Sequence, residues 1–91
     1  MKYTFRWRER AVKKLRAIPQ PAALTILRAL VLLGDDPRRA DSSVKKLVGH
    51  DDRYRLRAGD YRVIYDIADE QLVILVVGVG HRREIYQALQ Q

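Results

Sequence analysis

The sequence predicts an α+β fold: an antiparallel β-sheet of about four strands with an N-terminal helical hairpin packed on one face. Three observations carry this. Residues 8–33 place apolar side chains at helical spacing in two stretches, separated by Pro19-Gln20-Pro21. Residues 53–67 alternate with period two around Gly59-Asp60. Residues 72–77 form an unbroken apolar run, the pattern of a strand covered on both faces. At 91 residues the chain reads as one domain, 1–91.

The opening segment Lys2 to Trp7 reads as a strand, because Tyr3, Phe5 and Trp7 alternate with Lys2, Thr4 and Arg6. From Arg8 the period changes. Ala11, Val12, Leu15 and Ile18 share one helical face, with Arg10, Lys13, Lys14 and Arg16 on the other. This helix starts without a Ser, Thr, Asp or Asn cap. The prolines end it and open a second helix from about Pro21 to Leu33, apolar over a wide arc and closed by Gly34 and the breaker Asp35-Asp36-Pro37. A polar loop leads to a short strand at Val44 to Val48 and a turn at Gly49 to Asp52. Arg53 to Arg57 and Tyr61 to Ile67 form a hairpin, and Asp69-Glu70 turns the chain into the apolar run. Ile85 to Gln91 reads as a short helix. The predicted order is β-α-α-β-β-β-β.

Composition excludes several chemistries. The chain has no cysteine, so disulfides, thiolate metal sites, iron–sulfur clusters and cysteine nucleophiles are ruled out. His50 and His81 are too few to suggest a dedicated metal site, and neither metal nor cofactor is expected. The apolar run is far short of the roughly 20 residues of a membrane helix, and the opening residues lack a signal-peptide core. A cytoplasmic protein with no membrane partner is the expectation.

Charge points to a polyanion or an acidic protein. Eighteen Lys and Arg face eleven Asp and Glu, for a net charge of +7, and thirteen of the eighteen are Arg. Arginine offers planar, two-pronged bonding to phosphate. In the hairpin, Tyr54 and Leu56 point one way and Arg53, Arg55 and Arg57 the other. With Gly59-Asp60 as the turn, Leu56 lies opposite Val63 and Arg57 opposite Arg62. With Ala58-Gly59 as the turn, Leu56 faces Tyr61 and Arg55 faces Arg62. Either register sets two arginines directly across from each other, which costs stability. One reading is an edge hairpin charged against aggregation; the other is an anion-binding face. Gly80 lets the last strand turn or bulge, bringing His81 and Arg82 beside the hairpin. His81 is alternatively an exposed loop residue, and Tyr86 a core or rim aromatic.

These motifs resemble the RelE/ParE superfamily of bacterial toxin–antitoxin toxins over essentially the whole chain. The resemblance lies in F-x-W-x-E-R-A-V-K-K-L (Phe5 to Leu15), the Asp36-Pro37 step, and K-L-x-G (Lys46, Leu47, Gly49). Most specific are Y-R-L-R-A-G-D-Y-R-V-I-Y-D-I (Tyr54 to Ile67) and G-H-R-R-E-I-Y (Gly80 to Tyr86). The resemblance implies a RelE-like microbial ribonuclease architecture. It further implies a type II toxin acting as a metal-independent endoribonuclease on mRNA in the ribosomal A site, which inhibits translation. Carried over by motif, the catalytic candidates are Arg53, Arg55, Arg62, Arg82 and Tyr86, with His81 beside them. Arg57, Arg83, Lys45 and Lys46 are the flanking RNA-binding candidates. Some family members carry lysine where Arg53 and Arg55 stand, and a longer segment than Arg82 to Tyr86. The implied partners are mRNA and the ribosome, a cognate RelB-like antitoxin, and operator DNA bound through that antitoxin.

The chemistry assigns roles within this set. Cleavage through the substrate's 2′-OH needs a stabilised phosphorane, which Arg53, Arg55 and Arg62 suit. Arginine stays protonated and cannot act as the base. His81, Tyr86 and Glu84 remain for proton transfer: imidazole titrates near 6.5, whereas a phenol starts near 10 and is lowered by nearby cations. Arg82 falls near the leaving oxygen. Two competing classes are a ParE-like, non-enzymatic inhibitor of DNA gyrase and a plain RNA-binding module. The first has no use for the arginine and tyrosine set, and the second would carry more exposed aromatics.

Overall fold

The computed structural model describes residues 2–39 and 41–85. The elements run β1 (Thr4–Trp7), α1 (Glu9–Ala17), α2 (Gln20–Leu33), β2 (Val44–Lys46), β3 (Arg53–Ala58), β4 (Tyr61–Ala68), a single 3₁₀ turn (Asp69–Gln71) and β5 (Val73–His81). The expected helix over Ile85 to Gln91 lies outside the described residues beyond Ile85.

The five strands form one sheet in the order β1-β5-β4-β3-β2. Every pairing is antiparallel except β1 with β5, which is parallel, so the sheet is mixed. The fold class is α+β as expected, and the five strands and two helices follow the expected β-α-α-β-β-β-β order. The hairpin adopts the register with Gly59-Asp60 as the turn: Leu56 faces Val63, Arg57 faces Arg62 and Ala58 faces Tyr61. Gly59 takes φ +62°, a conformation that side-chain-bearing residues avoid.

Alternation sorts the sheet into two faces. One holds Phe5, Trp7, Tyr54, Leu56, Val63, Tyr65, Ile74, Val76 and Val79 and is covered by the helices. From α1 comes Ala11, 1% exposed; from α2 come Ile26, Leu30 and Leu33, at the i, i+4, i+7 spacing of a single stripe. Helix α1 has Arg8 as its N-cap with no side-chain hydrogen bond. At nine residues it is too short to stand alone, so packing against β5 holds it. Gly34 caps α2 in right-handed rather than left-handed geometry. Its carbonyl accepts the N–H groups of Lys2 and Tyr3, joining the end of α2 to the start of β1.

Strand β5 departs from uniform pleat. Ile64 pairs with Gly78 but the next residue, Tyr65, pairs with Val76, which leaves Val77 as a bulge. Past the bulge, Gly78 and Gly80 face away from the helices, and Ile85 packs over them. A methyl at Gly80 would stand 3.2 Å from Ile85 Cδ1, so the Ile85 side chain would have to give by a few tenths of an ångström.

A polar cluster locks the opposite end of the sheet. Arg38, in the loop after α2, donates two hydrogen bonds to Asp69, 2.9 and 2.7 Å, and one to the Tyr54 hydroxyl. Tyr3 donates to the same carboxylate at 2.8 Å. Tyr65, stacked on Tyr54 at 5.8 Å, donates its buried hydroxyl to the Pro37 carbonyl at 2.6 Å. Burial pushes the Tyr65 hydroxyl well above its ordinary pKa. The hydrogen bonds from Arg38, and then that from Tyr3, hold Asp69 down at about 2.

Two predictions follow from this cluster. Tyr65→Phe leaves the Pro37 carbonyl buried without a donor and is expected to cost about 1–3 kcal/mol, read from the urea midpoint. Asp69 titrates lower folded than unfolded, so its contribution is complete above about pH 4 and is lost as pH falls toward about 2. Asp69→Asn is therefore expected to be less stable at neutral pH and to flatten the stability profile across that acid range.

Candidate nucleic-acid interface

The sheet face away from the helices is the basic one, and its rows follow from strand register. Lys45, Arg55, Ile64 and Gly78 form one row across β2 to β5. Arg57, Arg62 and Gly80 form the next, toward the hairpin turn. Arg53, Asp66, Leu75 and Arg6 form the row at the other end. Sequence reading missed Arg6, because only the parallel pairing with β5 reveals its place.

Each arginine is held differently. Arg53 makes a two-pronged pair with Asp66, at 2.7 and 2.9 Å, and those bonds hold it more firmly protonated than usual. Arg62 folds toward the turn and donates to the carbonyls of Gly59 and Tyr61, both at 2.9 Å. The Nε of Arg55 is buried and has no hydrogen-bond partner, an unsatisfied donor in the middle of the basic face. Arg57 is exposed. The carboxylate of Asp66 is thus committed at one end of the face, while Arg55, Arg57 and Arg62 cluster toward the turn.

Arg82 joins this cluster. Its backbone N–H bonds to the Asp60 carbonyl at 2.8 Å, which ties it to the hairpin turn with its side chain exposed. Arg83 is exposed beside it. His81 goes elsewhere. It pairs with Tyr61, so its ring stands on the helix-covered side, edge-on to the Tyr61 ring at 5.7 Å. Lys46 pairs with Tyr54 and likewise points away from the arginines, whereas Lys45 lies with them. Tyr86 is outside the described residues. Among the described residues His, Asp and Glu nowhere gather in threes as metal ligands do, and no helix is long and apolar enough to cross a membrane.

The fold recurs in solved toxins. The chain superposes on RelE from the archaeal RelE–RelB complex of Pyrococcus horikoshii with a TM-score of 0.78 and 32% identity, covering 90% of this chain and 97% of that one. For the intact RelBE toxin–antitoxin complex of Escherichia coli the TM-score is 0.75 at 32% identity, covering 87% and 95%. The class is that of RelE-like toxins of type II toxin–antitoxin systems. Residues 5–86 match the family described as the ParE toxin of type II toxin–antitoxin system, parDE, and the chain belongs to that family. Among curated relatives, the mRNA interferase toxin RelE of Escherichia coli is 33% identical over 90 residues, covering 94% of this chain and 92% of the relative. Toxin RelG of Mycobacterium tuberculosis is 29% identical over 89 residues, covering 96% and 99%.

The like-charge pair makes its own prediction. Arg57→Gln removes repulsion against Arg62 and is expected to leave the fold equally stable or up to about 1 kcal/mol more stable. The same variant is expected to bind single-stranded RNA more weakly, with a salt slope shallower by about one. Thermal melts and a salt titration of RNA binding check the two halves.

Proposed function

We propose that this toxin is an endoribonuclease that cuts mRNA in the ribosomal A site, using the substrate's own 2′-OH and no metal. The observation that supports it is the register that sets Arg57 against Arg62 beside Arg55, on the sheet face opposite α1 and α2. Core burial holds the register, and a bound anion would relieve the repulsion it leaves. Arg55 and Arg62 bind the phosphorane as its charge develops, Arg53 supports them from the Asp66 end, and Arg82 lies near the leaving 5′-oxygen. Arg57, Arg83 and Lys45 hold flanking phosphates, with Lys46 at the sheet edge. Tyr86 carries the proton in this reading. The curated relative named as an mRNA interferase supports the same assignment.

The proposed partner is a RelB-like antitoxin, which neutralises the toxin and carries the pair to operator DNA. The complexes of similar toxins with RelB support this. So does an open groove of about 410 Å³ between α1 and β5, with Val77, Val79 and Ile85 at its floor and Arg10, Lys13 and Lys14 at its rim. Those properties suit an acidic amphipathic segment.

The family's description as ParE favours a second reading, inhibition of DNA gyrase without cleavage. Mapping mRNA 5′ ends after brief expression, beside a gyrase supercoiling assay, separates the two: new 5′ ends with unaffected supercoiling support the nuclease, and the reverse overturns it. Arg82→Ala and Arg62→Ala are each expected to lower cleavage by about 100-fold or more. Stability should shift by no more than about 0.5 kcal/mol for exposed Arg82 and by about 1 kcal/mol for Arg62, which loses its bonds to the turn.

A further inference from the structure

We infer that His81 is a positioning residue, which fixes the turn carrying Arg82 from the far side of the sheet and does not handle the proton. The inference rests on the nuclease reading for its kinetic consequences, but its structural basis is separate. In the register of β4 with β5, Arg62 pairs with Gly80 and Tyr61 with His81. Consecutive residues alternate faces, so Gly80 lies on the arginine side and the imidazole on the helix side. There it lines a small hollow with Lys14, Ala17, Ile18, Tyr61 and Glu84. Among the described residues, the charged and titratable groups lining the hollow with it are Lys14, Glu84 and Tyr61, and no arginine of the basic face is with them.

From that position His81 closes the turn after β5. Its Nδ1 accepts the backbone N–H of Arg83 at 3.3 Å, and its carbonyl accepts the N–H of Glu84 at 2.9 Å. Between these two, the N–H of Arg82 is fixed on the Asp60 carbonyl. The ring is itself steadied edge-on against Tyr61. Removing that acceptor frees the Arg83 amide and loosens the segment that aims Arg82.

Three variants separate positioning from proton transfer. His81→Asn keeps an acceptor at the place of Nδ1 but cannot titrate. His81→Phe keeps the ring against Tyr61 but has no acceptor. His81→Gln moves the acceptor outward, to the place of Nε2. Each is compared with wild type for kcat and KM on mRNA in a reconstituted translation reaction, across a pH series. Amide hydrogen exchange at residues 82–84 is measured on the toxin alone, with thermal melts to confirm folding. Positioning predicts that His81→Asn retains protection of the Arg83 amide, most of kcat and the wild-type pH profile. His81→Phe and His81→Gln should lose that protection and drop kcat by roughly tenfold to a hundredfold, as a misplacement of about 1 Å does, with KM little changed. Equal loss of kcat in folded His81→Asn and His81→Phe, with one limb of the pH profile gone, would assign the proton to His81 and overturn the inference. Unchanged exchange at Arg83 in His81→Phe would overturn it as well. If wild-type toxin leaves mRNA intact, the nuclease reading fails, and the exchange arm alone decides whether His81 holds the turn.

Discussion

The register of the β3–β4 hairpin is the constraint on which the rest of the molecule depends. Leu56 and Val63 meet under the helices, and both are almost fully buried. Burying each contributes about 1.5–3 kcal/mol, whereas two like charges directly opposite cost a fraction of a kilocalorie to about 1 kcal/mol. Burial wins, and the meeting of Arg57 with Arg62 on the other face is its consequence. A slip of one residue would relieve the arginines only by turning one strand's apolar set, Tyr54 and Leu56 or else Val63 and Tyr65, out of the core. The basic face is therefore rigidly placed because the core is.

The two ends of the sheet handle charge in opposite ways. At the Asp69 end, cation and carboxylate are matched: Arg38 with Asp69, Arg53 with Asp66, and three tyrosines completing the bonding. That end joins the loop after α2 to β1, β3 and the turn before β5. At the hairpin end Arg57, Arg62, Arg82 and Arg83 gather, with Asp60 and Glu84 nearby in sequence, and Arg62 donates to two carbonyls of the turn. One end is a self-sufficient clasp; the other is richer in arginine than in carboxylate.

Much of this was legible in the sequence because it is local. The alternation from Arg53 to Ile67 fixes both hairpin faces without reference to the rest of the chain, whereas the wide apolar arc of α2 left open which of its residues, Ile26, Leu30 and Leu33, are buried. The pairing of Arg53 with Asp66 follows once Gly59-Asp60 is chosen as the turn. What stayed hidden is non-local. The parallel partnership of β1 with β5 joins the first strand to the last, and no local pattern encodes it. Arg38 sits in a polar loop with nothing to mark it as the hub of three contacts. The side taken by His81 was hidden for a subtler reason, because the bulge at Val77 changes which residues face the helices.

That bulge makes β5 a strand of two phases. Counting by twos from Ile74 and Val76 would carry Gly78 and Gly80 inward and His81 outward, among the arginines. The extra residue at Val77 resets the beat, so Val79 and His81 turn inward and the glycines outward. A drifting sequence can therefore change the length of β5 near this point only in even steps without trading one side of the sheet for the other. A single deletion there would leave composition almost untouched, yet it would set a histidine on the basic face and two glycines in the core.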